Sequence, residues 1–151
     1  MKIFAIPLTV FLIFGSFSVA HADPLEVTEA YARASRPGAP TGAVFMVLTN
    51  VSDTEVKVTG ASSPAAKTTQ LHSTTEDDDG VMRMREIENG VTIPPGESFA
   101  FKRGGDHIML MGLTHLFKPG EDIEITLKFE AFEPQTIVVP VAQMRQIPKN
   151  N

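Results

Sequence analysis

The sequence contains no cysteine, and this absence excludes several classes of site. Disulfides, thiol nucleophiles, thiol redox couples and cysteine-ligated zinc or iron–sulfur centres all need a sulfhydryl group. A blue-copper electron-transfer site also uses a cysteine thiolate, and a lipoprotein acylated on cysteine needs the same residue. Any metal ion must therefore be bound by histidine, methionine, aspartate or glutamate side chains.

Runs of basic residues and enzyme motifs are missing as well. The chain has 13 lysines and arginines against 18 acidic residues, a net charge of −5. This balance argues against a nucleic-acid partner, because nucleic-acid-binding surfaces are basic. The sequence has no nucleophile elbow and no phosphate-binding loop. We therefore expect a binding protein and not an enzyme.

The N-terminus has the three parts of a secretory signal peptide. Met1-Lys2 is basic, residues 3–14 are mainly apolar, and Ala20-His21-Ala22 matches a small-residue cleavage site. We predict that residues 1–22 are removed and that residues 23–151 form one exported domain. Retention of the segment as a membrane anchor is the alternative, although the apolar run is short for a span.

The remaining chain has the pattern of an all-β sandwich or barrel, with turn signals every 8–12 residues. Two turns predict hairpins: residues 50–53 before a return strand, and Glu88-Asn89-Gly90, which carries the Asn-Gly signal. The acidic run 76–79 is expected to be a solvated turn, with a cation or partner site as the alternative. The predicted strands cover residues 25–33, 43–49, 55–58, 66–73, 81–87, 98–102, 107–111, 123–129 and 136–141.

The strand after Gly104-Gly105 carries the most informative chemistry. Alternation places His107, Met109 and Met111 on one face. Imidazole nitrogen beside thioether sulfur suits copper, above all Cu(I). Read alone, the methionines could instead be a core stripe, and Met111 is the better candidate for packing.

His72 and Met84 are the candidates that complete a set of two nitrogens and two sulfurs. Met82 shares a predicted face with Met84 and could replace it, just as Met111 could replace Met109. A site without thiolate should hold copper and still be able to release it. The other candidates are weaker: Met46 is expected in the core, His115 is expected to be exposed, and Met144 lies in a polar tail.

These blocks resemble the periplasmic copper chaperones of the PCu(A)C family. His72, eleven intervening residues, Met84, twenty-two intervening residues and His107-Ile108-Met109 are similar to the family's ligand pattern, with the second spacing one residue longer than usual. The segments Glu29–Ala34 and Gly104–Leu113 also look like family blocks.

The resemblance implies a cupredoxin-like Greek-key β-barrel or sandwich that binds one Cu(I) ion through His72, Met84, His107 and Met109. It also implies copper delivery in the periplasm, typically to the CuA centre of cytochrome c oxidase or its assembly factors. The chain ends without the His- and Met-rich extension of some members, so we expect one site and no strong Cu(II) binding. A metal-free binding or adhesion module is the alternative, and a fully buried Met109 with no neighbouring histidine would favour it.

Overall fold

The computed structural model describes residues 22–142. The predicted signal segment, apart from Ala22, and Met144 lie outside the described residues. The described chain contains ten β-strands and no helix, which confirms the all-β prediction. The strands are β1 (Leu25–Ala34), β2 (Thr41–Asn50), β3 (Val56–Ser62), β4 (Ala66–Glu76), β5 (Met82–Glu86), β6 (Val91–Ile93), β7 (Ser98–Phe101), β8 (His107–Leu113), β9 (Asp122–Phe129) and β10 (Gln135–Pro140).

The strands form two sheets that pack face to face. The larger sheet has the order β1-β2-β8-β4-β5, and β7 joins it by pairing with the second half of β2. The smaller sheet has the order β10-β9-β3-β6. A parallel bridge between Ala32 and Val141 links β1 of the larger sheet to the chain that follows β10. The described residues include no helix long and apolar enough to cross a membrane.

Alternation along the strands explains the core. In β2, Val44, Met46 and Leu48 are almost fully buried and face the second sheet, as the sequence predicted for Met46. Since side chains of a strand alternate between faces, the intervening residues lie on the outer face of the larger sheet. The inner face of β8 is supplied by Ile108 and Leu110, both fully buried. His107 and Met109 therefore lie on the outer face.

Two predicted hairpins are wrong in the same way. The turn after Asn50 does not return the chain beside β2, because β3 pairs with β6 and β9 in the other sheet. The Asn89-Gly90 turn likewise connects β5 of one sheet to β6 of the other. Gly90 has φ of +72° and passes so close to β3 that an added Cβ would clash with the Val58 carbonyl. Both segments do form turns, but each turn leads to a strand of the other sheet.

Two other hairpins agree with the sequence. β9 and β10 pair in antiparallel fashion throughout, as predicted for the last two strands. β4 and β5 form a second hairpin whose turn contains the acidic run. Asp77 organises that turn by accepting hydrogen bonds from the Asp79 and Val81 N–H groups at 3.1 and 2.9 Å and from Arg83 Nε at 2.7 Å. These contacts agree with the structural interpretation of the acidic run.

Candidate metal centre

Two histidines far apart in sequence are direct neighbours on the outer face of the larger sheet. β4 and β8 pair so that His72 lies opposite His107. The ring centroids are 5.8 Å apart, with the ring planes at 64°. Since a bond between a metal and an imidazole nitrogen is about 2 Å long, two rings at this separation can share one ion after small rotations.

His107 is oriented by its own loop. The residue is 7% exposed, and its Nδ1 lies 3.1 Å from the carbonyl oxygen of Gly105. Because a carbonyl oxygen only accepts, Nδ1 carries the proton and donates this hydrogen bond. Nε2 of His107 therefore keeps its lone pair, the state in which an imidazole nitrogen binds a metal.

His72 is oriented by a neighbouring amide. Its Nε2 lies 3.1 Å from Oε1 of Gln70, and Nε2 of Gln70 donates to Oε2 of Glu86 at 2.9 Å. The other ring nitrogen, Nδ1, is buried and has no hydrogen-bond partner among the described residues. Burial lowers the pKa of His72 below its ordinary value, His107 lowers it further, and Glu86 opposes them. The neutral, metal-binding form is thereby favoured.

Met109 lies beside the histidine pair. It is two residues from His107 on β8 and lies opposite Gln70 on β4, which places it diagonally from His72. The side chain is half-buried on the outer face, so it is not part of the core. Met111 shares this face one step further along, opposite Thr68. Met109 is therefore nearer to His72 than Met111 is, and it is the better candidate for a ligand.

Met84 occupies a different kind of position, on the exposed edge strand β5. It is 60% exposed and lies opposite Thr74, two residues from His72 on β4. Met82 is 53% exposed and lies opposite Glu76, one step further from His72. The cross-strand register thus ranks Met84 ahead of Met82. Of the four predicted ligands, the structure brings His72, His107 and Met109 onto two adjacent strands and places Met84 on a third.

Aromatic side chains that the sequence analysis missed support the histidines. Tyr31 and Phe45 have ring centroids 5.1 Å apart, and Phe45 lies 6.2 Å from His107. With His72, these rings form a row across β1, β2, β8 and β4. Phe45 is only 6% exposed although it lies on the outer face. The sequence signal was its alternation with Val44 and Met46, which assigns it to that face.

The donor set has a clear chemical preference. Within residues 22–142, no group of three or more histidine, aspartate or glutamate side chains is arranged to hold a metal ion. His115 is exposed, as expected, and its Nε2 lies 3.1 Å from Glu121. Met109 on β8 and Met84 on β5 are thioethers on strands that carry or adjoin the histidine pair. Neutral thioethers bind Cu(I) well and hard cations poorly.

Known proteins are similar to this chain in sequence. Residues 25–141 match the family described as "Putative lipoprotein LpqE-like". The chain is 36% identical over 120 residues to a protein from Leifsonia xyli subsp. xyli (strain CTCB07) named "Putative lipoprotein", covering 80% of this chain and 70% of that one.

Solved structures of similar proteins have the same fold. The solution structure of apo-DR1885 from Deinococcus radiodurans is 32% identical, covers 95% of this chain and 94% of that one, and has a TM-score of 0.62. The Cu(I) form of DR1885 is also similar, at 32% identity, 83% and 84% coverage and a TM-score of 0.52. The copper-bound PCuAC domain from PmoF2 is 20% identical, covers 81% of this chain and 95% of that one, and has a TM-score of 0.64, which establishes a shared fold. The chain therefore belongs to the LpqE-like family, and its domain has the cupredoxin-like fold of the PCu(A)C proteins that its sequence resembles.

Proposed function

We propose that this protein is a copper chaperone that binds one Cu(I) ion through His72, Met84, His107 and Met109. The observation that carries the proposal is the cross-strand pair His72 and His107, with ring centroids 5.8 Å apart. One nitrogen of each ring is held by a hydrogen bond to an oxygen acceptor, which leaves the second nitrogen for a metal. Metal-binding histidines typically have this arrangement.

The proposed cargo follows from the donor types. Two neutral imidazoles and two thioethers contribute no negative charge and are soft enough to favour Cu(I) over zinc or calcium. The Cu(I) form of DR1885, which is 32% identical to this chain, supports the same ion. Copper is here a cargo, and no catalytic step is assigned to the protein.

Transfer is supported by where the ligands lie. The set occupies the outer face of a sheet, and Met84 is 60% exposed on its edge strand. A recipient can therefore approach the ion without opening the hydrophobic core. The recipient that we propose is the CuA centre of cytochrome c oxidase or an assembly factor for it. Delivery would take place in the periplasm, after export and cleavage behind Ala22.

A Cu(I) titration against a competing chelator tests the binding step. The double variant His107→Ala, Met109→Ala should lose more than about 100-fold in affinity, since loss of outer-shell partners alone typically costs 10- to 100-fold. The control is His115→Ala with Leu116→Ala, two exposed residues outside the set. Cu(I) binding by the double variant at the wild-type affinity would contradict the proposed site.

The transfer step needs its own measurement. Cu(I)-loaded protein is mixed with the copper-free CuA domain of cytochrome c oxidase, the two are separated, and the copper in each is measured. We expect copper to move to the CuA domain faster than from a Cu(I)–chelator complex of equal affinity. Equal rates would remove the chaperone role while leaving copper binding intact.

A further inference from the structure

Three polar side chains form a hydrogen-bonded chain from the edge strand to His72. Glu86 on β5 lies directly opposite His72 on β4. Its Oε2 accepts from Nε2 of Gln70 at 2.9 Å, and Oε1 of Gln70 lies 3.1 Å from Nε2 of His72. Gln70 and His72 are two residues apart on β4 and so lie on the same face.

The order of donors and acceptors along this chain has one solution. A carboxylate only accepts hydrogen bonds, so the amide nitrogen of Gln70 must face Glu86. The amide oxygen then faces His72, and because this oxygen also only accepts, Nε2 of His72 must carry the ring proton. Glu86 thus determines the orientation of Gln70, and Gln70 determines the tautomer and ring position of His72.

The second nitrogen of His72 is then an unprotonated acceptor. Nδ1 is buried and has no hydrogen-bond partner among the described residues. A buried polar atom without a partner is costly unless it serves another purpose. In His107 the arrangement is reversed, because Nδ1 donates to Gly105 and Nε2 is left without a proton.

We infer that Gln70 is a positioning residue, held by Glu86, that presents Nδ1 of His72 to copper while His107 presents Nε2. The inference rests on the proposed function, because it assigns atoms within that site. It also makes the two histidines unequal: His72 depends on side chains of two strands for its orientation, whereas His107 depends only on the backbone of its own loop.

Nitrogen-15 NMR of the imidazole rings tests the inference directly. The copper-free protein is measured about two pH units above the ordinary histidine pKa of about 6.5, where an imidazole of ordinary pKa is neutral. His72 should show a protonated Nε2 and an unprotonated Nδ1, and His107 the opposite. Added Cu(I) should shift Nδ1 of His72 and Nε2 of His107.

This experiment distinguishes failure of the positioning role from failure of the proposed copper site. A proton on Nδ1 of His72 in the copper-free protein overturns the positioning role, whether or not copper binds. A Cu(I)-induced shift that is larger at Nε2 of His72 than at Nδ1 overturns it as well. If the copper-free tautomers are as described but Cu(I) shifts neither ring, the proposed copper site fails and the hydrogen-bonded chain stands.

Substitution of the positioning residue gives the second test. Gln70→Leu removes both hydrogen bonds and should weaken Cu(I) binding by about 10- to 100-fold, the usual effect of losing an outer-shell partner. The matched control is Thr68→Val, on the same face of β4 and one step further from His72, which should bind as the wild type does.

A rescue variant separates positioning from general damage to the strand. In Gln70→Glu, Glu86→Gln the amide and the carboxylate exchange places, so that residue 86 donates to residue 70 and residue 70 accepts from Nε2 of His72. This variant should bind Cu(I) within about threefold of the wild-type affinity, whereas Gln70→Leu should lose about 10- to 100-fold. Wild-type affinity in Gln70→Leu, or no recovery in a folded exchange variant, would overturn the positioning role.

Discussion

His72 and His107 are direct cross-strand partners on β4 and β8, with their ring centroids 5.8 Å apart. The two residues are brought together by strand pairing between distant parts of the chain. Their rings continue a row that begins with Tyr31 and Phe45, so the pair is supported on one side by aromatic packing. On the other side lies Glu86, which belongs to the exposed edge strand.

Replacement of one histidine of the pair should weaken copper binding strongly. His72→Ala removes a nitrogen donor and leaves the rest of the fold in place, because His72 lies outside the hydrophobic core. We expect a loss of Cu(I) affinity of at least about tenfold, because loss of an outer-shell partner alone already costs about that much. Titration against a competing chelator measures the loss. His115→Ala is the matched control, and a comparable loss in that variant would contradict the assignment.

The two exposed methionines of β5 should differ in their effect on copper. Met84 lies opposite Thr74, closer to His72 than Met82, which lies opposite Glu76. Met84→Leu should therefore lower Cu(I) affinity, whereas Met82→Leu should leave it unchanged. Both residues are more than half exposed, so each substitution should change the free energy of unfolding by less than about 0.5 kcal/mol. A loss of Cu(I) affinity in Met82→Leu alone would assign the ligand role to Met82.

Acidification should destabilise the copper-free protein through His72. Burial and His107 lower the pKa of His72 in the folded state, although Glu86 opposes them. Between the folded and unfolded pKa values the unfolded chain binds more protons, so stability falls as the pH drops below about 6.5. Urea unfolding at a series of pH values measures this slope.

His72→Asn is the variant that isolates this contribution. It should flatten the dependence of the urea midpoint on pH over the range below about 6.5, because the residue no longer takes up a proton. The control is the same substitution at His115, an exposed histidine outside the pair. Identical slopes in His72→Asn and the wild type would show that another group governs the acid transition.

Asn50 should be sensitive to the loss of a single amide nitrogen. It is 1% exposed, its Nδ2 donates to the carbonyl oxygens of Thr54 and Ile93 at 2.8 Å each, and its Oδ1 accepts from Ser52. Asn50→Asp would place a carboxylate against two carbonyl oxygens. We expect a cost of about 2–4 kcal/mol in the free energy of unfolding, because one buried and one partly buried carbonyl oxygen lose their donor.

Chemical denaturation at neutral pH measures this cost. Asn89→Asp introduces the same change in charge at an exposed turn and should alter the unfolding free energy by less than about 0.5 kcal/mol. If both variants are equally stable, the Asn50 contacts are not what holds the chain between β2 and β3.

Local patterns in the sequence predicted nine of the ten strands, all except β6 (Val91–Ile93), and the shared face of His107 and Met109. Alternation over a few residues is enough to assign a face, and β2 and β8 follow it closely. The same reasoning failed for the turns after β2 and β5. A turn sequence encodes the local backbone, but whether the next strand pairs with the previous one depends on partners such as β9, which lie far along the chain.

The candidate site also depends partly on local sequence and partly on contacts between distant strands. His72 was selected by residue type and family resemblance, and only the register of β4 with β8 shows that it meets His107. Gln70 has no signal of its own in the sequence, and the alternation that assigns Phe45 to the outer face does not indicate that it is buried there. The role of Gln70 depends on Glu86 across the hairpin, and the burial of Phe45 on the outer face depends on Tyr31 from another strand.

All five residues of β5 are exposed, so this strand contributes nothing to the core. Its detachment would break the hydrogen bonds with β4 and leave the packing between the sheets intact. Regions with few buried apolar contacts open locally at a small fraction of the global unfolding free energy. The amides of β5 should therefore exchange with deuterium much faster than those of the central strand β8. A partial opening of this kind would release Met84 and Glu86 together. The measured affinity for a bound ion would then depend on the fraction of molecules in which β5 is paired with β4.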